Sequence, residues 1–247
     1  MDLIDLYCGG PVFLICNGPS FSPEQQLCLK RPGIVTLGLN NGAHVFRPSL
    51  WVAVDAPHRF MRSVWTDATI MKFVPMEHLE APIPRDGADK TNGCAIVRQC
   101  SNVVGFRRNS EFRPHAWLSE ESINLGNSDA VGGVRSVMLP AIRICYLLGF
   151  RDIYLVGCDF AMDRQHKYWF PEERSEAAIA GNNAAYAALQ EYFLRLLSTF
   201  KAAQLRVWNT NPKSKLEVFP CADLDSVVRA CCSDTSGSTA GMYNSPV

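Results

Sequence analysis

Cys16-Asn17-Gly18-Pro19-Ser20 follows directly on the apolar run Val12–Cys16 and precedes Ser22-Pro23-Glu24, which supplies a helix cap, a first-turn proline and a first-turn acid. A glycine at a strand-to-helix junction lets the main chain approach a bound molecule closely. The helix start offers free N–H groups and a positive dipole end, so Asn17, Gly18 and Ser20 could receive a phosphate or carboxylate. The same residues would equally build a plain turn, and this motif alone does not choose between the two.

Other polar residues close apolar runs in the same way. Ile34–Leu39 ends in Asn40-Asn41, and Leu50–Asp55 ends in an acid. Taken singly, the asparagines could be turn formers and Asp55-Ala56-Pro57 a helix cap; their convergence at strand ends is what points to a ligand crevice. Asp159 closes a third run in Gly157-Cys158-Asp159-Phe160, where a carboxylate can hold a metal, a ribose hydroxyl or a neighbouring loop. His166, Lys167 and Tyr168 follow on an expected loop. From there His166 or Tyr168 could act as general acid or base, the alternative being a solvated loop histidine. Gly132-Gly133, ahead of a helix from Val134, could admit a phosphate or nucleobase against bare backbone, or could serve tight packing. No G-x-x-x-x-G-K-[ST] segment occurs and no G-x-G-x-x-G follows a strand, so ordinary NTPase and dinucleotide readings lose support.

These residues need strands and helices to hold them. Val12–Cys16, Ile34–Leu39, Leu50–Asp55, Ile70–Pro75 and Asp152–Gly157, with Leu205–Asn209 as a sixth candidate, are short, near-continuously apolar and rich in β-branched residues. That pattern predicts buried parallel strands. Helical spacing is expected from residue 23 to about Lys30, from Val134 to Leu148, and from Asn183 to Ala203. The alternation predicts an α/β fold: a Rossmann-like, doubly wound, mostly parallel sheet. One domain over residues 1–230 is expected to bind a nucleotide, with an irregular insertion or lid over about 81–128 and a flexible tail over 231–247.

The 247 residues are 47% hydrophobic and 19% charged, ordinary for a chain that folds. Lys plus Arg and Asp plus Glu are 24 each, so net charge does not indicate nucleic acid or an anionic membrane as partner; Arg107, Arg108 and Arg113 form a local cluster that reads as a solvated loop. The ten cysteines show no CxxC or Cys/His spacing typical of zinc. Reduced thiols, acidic Asp2 and Asp5 near the start, and the lack of a membrane-length apolar stretch lead to the expectation of a cytoplasmic protein without a membrane span. A homo-oligomer is compatible with the sequence.

Three pieces in order carry a resemblance: Asn17-Gly18-Pro19-Ser20, Gly132-Gly133-Val134, and Leu148-Gly149-Phe150-Arg151-Asp152-Ile153-Tyr154-Leu155-Val156-Gly157-Cys158-Asp159-Phe160. Over roughly residues 10 to 220 the chain resembles the sialyltransferases of glycosyltransferase family 42 and the related 6-hydroxymethylpterin diphosphokinase-like proteins. The resemblance implies a Rossmann-like nucleotide-binding core, with nucleotide contact from Asn17, Gly18, Asn40 and the Gly132-Gly133 turn. Asp55 stands where the sialyltransferases tend to carry a neutral amide, which implies a metal-dependent diphosphate donor. The family's catalytic histidine would fall near Gly181-Asn182-Asn183, where this chain has asparagine. Tyr168 resembles one of its two active-site tyrosines, and Ala161 stands at the place of the other.

The resulting expectation is a glycosyltransferase-like enzyme passing sugar from a nucleotide-sugar donor to a hydroxyl acceptor. Asn17, Gly18, Ser20, Asn40, Asp55, Gly132 and Gly133 would hold the nucleotide; Asp55 and Asp159 would bind ribose or Mg²⁺; His166, Tyr168 and Asp159 would serve the chemistry. The alternatives are a Mg²⁺-dependent diphosphokinase acting on a small hydroxymethyl compound and a catalytically silent nucleotide-binding protein.

Overall fold

A strand covered on both faces needs apolar side chains at successive positions, and this chain has them. In the computed structural model, which describes residues 3–85, 95–108, 112–119, 123, 136–165 and 167–242, the runs become a parallel sheet. Its strands are β1 (Pro11–Ile15), β2 (Thr36–Leu39), β3 (Leu50–Val52), β4 (Met71–Pro75), β5 (Val103–Phe106), β6 (Asp152–Val156) and β7 (Arg206–Asn209). They lie in the order β5-β4-β3-β2-β1-β6-β7, and every pairing is parallel.

The helices are α1 (Pro23–Cys28), α2 (Gly42–Val45), α3 (Arg62–Trp65), α4 (Met138–Leu147), α5 (Glu176–Ala202) and α6 (Leu224–Cys231). Alternation along β1 divides the core between two layers. Val12 and Leu14 join the layer made by α4 and α5, whereas Phe13 and Ile15 pack with Phe21, Phe46 and Val228 on the other face. Trp51 of β3 packs edge-on against Phe60 and Trp65 on that second face, at centroid separations of 5.2 and 5.0 Å. The fold is thus a doubly wound, Rossmann-like α/β sheet.

Local chemistry sets the element ends. Ser22 accepts from the Gln25 N–H while the Gln25 side chain accepts from the Ser22 N–H, which starts α1 where the cap and proline predict. The expected helix over 183–203 begins earlier, because Ser175 caps it and accepts from Ala178 N–H at 3.2 Å. The segment expected to be irregular contains a strand, β5, at the sheet edge. Past the expected domain end, Cys231 completes α6 and Ser233 N–H donates to Pro32.

Lys72 is fully buried in β4. Its ammonium donates to the carbonyls of Asp67, Ile70 and Ser101 at 2.6, 2.9 and 2.9 Å, so the charge closes the turns leading into β4 and β5. Among the described residues no helix is long and apolar enough to cross a membrane.

Candidate functional site

Strands β2 to β5 step outward on one side of β1 while β6 and β7 lie on the other, so the strand order reverses between β1 and β6. At such a reversal the loops leaving the carboxyl ends diverge and open a crevice. Here the two ends are stapled: Cys16 N–H donates to Val156 at 2.8 Å and Gly18 N–H to Gly157 at 2.9 Å.

Gly18 owes its residue type to this closeness. A Cβ there would lie 2.0 Å from Asp159 Oδ2 and 2.6 Å from the Gly157 carbonyl. Gly157 itself has a φ of +64°, which favours glycine. The Asp159 carboxylate is engaged by protein. Its Oδ2 accepts from Ser20 N–H at 3.1 Å and Ser20 Oγ at 2.8 Å, and its Oδ1 accepts from Asn211 Nδ2 at 3.2 Å. The Asp159 carbonyl accepts from Lys215 N–H at 2.9 Å. One residue therefore ties together the loops that follow β1, β6 and β7.

Above this knot lies a recess of about 170 Å³ whose walls include Asn17, Gly18, Asn40, Asp159 and Tyr168. An adjoining lobe of about 300 Å³ shares Asn17, Asn40 and Tyr168 and adds Asp55, Arg59 and Arg174. Ser20 sits beneath, in the knot. Gly132, Gly133 and His166 lie outside the described residues.

Buried acceptors without partners gather where β1 and β2 end. The Oδ1 atoms of Asn17, Asn40 and Asn41 have no hydrogen-bond partner, and neither does the indole N–H of Trp169. Asn40 adopts a left-handed φ of +49°, and its carbonyl is held by Trp51 Nε1 at 2.9 Å. Asn17 leans on Gly42, where a Cβ would come within 2.5 Å of its Oδ1.

Asp55 and Asp159 do not form a shared cation site. Both Asp159 oxygens face protein donors, Asp55 Oδ2 lies 3.7 Å from the Arg59 guanidinium, and among the described residues no three His, Cys, Asp or Glu side chains cluster. A divalent ion wants several unengaged oxygens around one point. The residues present do not fit that requirement.

Tyr186, which the sequence did not single out, lines the recess with Tyr168. Burial, together with the neighbouring Tyr168 hydroxyl, pushes its pKa up, so it stays a hydrogen-bond donor far above neutral pH. It stacks on Phe160 at 4.9 Å. Its spacing from Leu189 is that of a core stripe, which is why periodicity hides it. Asn182, one helical turn earlier, also lines the recess, while Asn183 clamps Met162 through its N–H at 3.0 Å and its carbonyl at 2.9 Å. Ala161 lines the recess as well, so its second tyrosine comes from α5. Two buried thiols floor it. The Cys158 thiol is held protonated by a hydrogen bond with Cys16 and by burial, which suits packing rather than nucleophilic attack.

No protein-family model, curated protein or solved structure matches the chain. The family resemblance accordingly rests on the motifs quoted above, and the chemistry must be reasoned from the crevice itself.

Proposed function

We propose that this chain is a glycosyltransferase-like enzyme that binds a nucleotide-activated sugar across the β1/β6 crevice and passes the sugar to a hydroxyl acceptor. The observation that carries the proposal is the convergence of Asn17, Gly18, Asn40, Asp159 and Tyr168 on one recess at the strand-order reversal. The unpartnered Asn17, Asn40 and Asn41 carbonyl oxygens suit the hydroxyl and amino donors of a nucleoside.

In this scheme the bond between the anomeric carbon and the nucleotide's phosphate oxygen breaks as the acceptor oxygen bonds to that carbon. Tyr168 and Tyr186, which both line the recess, donate hydrogen bonds to the departing phosphate. His166, adjacent in sequence to Lys167 and Tyr168, takes the acceptor's proton. Asp159 is a positioning residue: it fixes Ser20 and the strand ends that frame the recess.

A panel of nucleotides and nucleotide sugars, read by thermal unfolding, tests the proposal. Ligand at about a hundred times its Kd stabilises by about 2.7 kcal/mol, which raises Tm by roughly 5–10 °C. Failure of every nucleotide to stabilise the chain would refute it. Tyr168→Phe and Tyr186→Phe are expected to slow nucleotide release from the donor by about tenfold to a hundredfold while leaving nucleotide affinity nearly unchanged. Conversion of ATP to AMP in the same panel would overturn sugar transfer in favour of pyrophosphate transfer.

A further inference from the structure

The far lobe of the crevice is built differently from the near one. It carries two guanidinium groups and two carboxylates: Arg59 and Asp55 from the segment after β3, and Arg174 and Glu172 from the segment before α5. Arg59 ends the short helical turn Pro57–Arg59 after β3, and its carbonyl is tied to the asparagine wall by Asn41 Nδ2 at 3.1 Å. Arg174 immediately precedes Ser175, the cap of α5, and lies across the Tyr168 ring at 5.3 Å, which orients its plane.

Among the described residues, each arginine has one neighbouring carboxylate as its ion-pair partner. Arg59 stands 3.7 Å from Asp55, with side-chain exposures of 63% and 41%. Arg174 stands 2.9 Å from Glu172. The Arg59–Asp55 pair is exposed enough to contribute little and to exchange readily for a better acceptor, whereas the Arg174–Glu172 pair, at side-chain exposures of 37% and 25%, is the tighter of the two. A phosphate offers three oxygens in a geometry that guanidinium forks match in pairs. Asn17, Asn40 and Asn41, whose buried Oδ1 atoms have no partner, line the same lobe beside that anion.

We propose that Arg59 and Arg174 form a two-sided clamp for the phosphate oxygens of the ligand, occupying the role that a divalent ion would otherwise take. The clamp deepens the nucleotide reading of the same crevice and rests on it for the identity of the phosphorylated ligand. Asp55 and Glu172 act as placeholders that keep the lobe neutral until the anion arrives. The donor class it fits is a nucleoside mono- or diphosphate sugar bound without metal.

The test is calorimetric titration of the full chain with inorganic pyrophosphate in the presence of EDTA. Wild type is expected to bind. Arg59→Gln and Arg174→Gln are each expected to weaken binding about tenfold, Arg174→Lys by less, and Glu172→Gln is expected to tighten it severalfold by releasing Arg174. Thermal unfolding of the same variants checks that they fold. Absence of pyrophosphate binding to wild type, or affinities unchanged in both Gln variants, overturns the clamp. Pyrophosphate binding that depends on both arginines, with no nucleotide in a panel binding, keeps the clamp and removes the nucleotide reading. Nucleosides that bind while pyrophosphate does not remove the clamp and keep that reading.

Discussion

Replacing Asp159 by alanine should destabilise the molecule as well as alter any turnover. The substitution removes the acceptor for Ser20 N–H, Ser20 Oγ and Asn211 Nδ2 at 3.1, 2.8 and 3.2 Å. Hydrogen bonds to a charged acceptor contribute about 1.5–3 kcal/mol each where buried; at this half-buried site about 1 kcal/mol per bond is the better figure, giving roughly 3 kcal/mol in all. For a chain of this length that is a fall in Tm of about 6–12 °C. Urea denaturation with a shared m-value would measure it. The Ser20→Ala/Asp159→Ala pair should then lose less than the sum of the single losses, because both changes delete the bond from Ser20 Oγ to Asp159 Oδ2. Stability of Asp159→Ala within about 0.5 kcal/mol of wild type, accompanied by lost donor turnover, would refute the positioning role and return Asp159 to the chemistry.

Gly18→Ala is expected to cost at least about 3 kcal/mol, since its Cβ would sit 2.0 Å from Asp159 Oδ2 and 2.6 Å from a backbone carbonyl that cannot turn away; equilibrium unfolding checks it, and a variant as stable as wild type would sink the close-approach account. Lys72→Met keeps the stem but strips the buried Ile70 carbonyl and the part-buried Asp67 and Ser101 carbonyls of their donor, for a loss of about 2–4 kcal/mol by the same assay. Tyr186 supplies a pH dependence. Because its folded pKa is raised above the unfolded value near 10, the stability it contributes is fully present below about pH 10 and is lost as pH rises through the folded pKa. Tyr186→Phe should therefore lose less stability than wild type between pH 9.5 and about 11, as read by chemical denaturation; identical pH profiles would contradict the raised pKa.

Apolar runs were legible wherever a strand is covered on both faces. Val12 to Ile15 point alternately into two different layers, so no polar residue interrupts them, and the same holds for β3 and β6. β5 escaped notice for the opposite reason. Val103-Val104-Gly105-Phe106 is a short edge strand with one covered neighbour, and Gly105 stands against Leu79, where a side chain would not fit. The start of α5 was missed because Gly181-Asn182-Asn183 lowers helix propensity, whereas Ser175 and the packing of Leu189 and Phe193 hold the helix through it.

The site divides in a similar way. Asn17, Gly18, Asn40 and Asp159 were readable because each follows an apolar run, and a doubly wound sheet brings such positions to one rim. What each does there was not readable. That Asp159 spends its oxygens on Ser20 and Asn211 depends on a contact across 52 residues, and no local pattern signals it. Arg59 and Arg174 look like solvated loop arginines until the fold brings them to one lobe.

Asn183 fastens Met162, Trp169 N–H donates to the Asn17 carbonyl at 3.3 Å, and Ser175 caps the helix at the far end, so the described residues of this stretch form a strap held at both ends and at Trp169. Lys167, Tyr168 and Arg174 ride on that strap, on either side of the Trp169 rivet that joins it to the loop after β1. Evolution or an engineer can therefore rewrite what the crevice selects by exchanging Lys167, Tyr168 or Arg174, provided Trp169 and its seat against Phe21 and Asn17 are left in place.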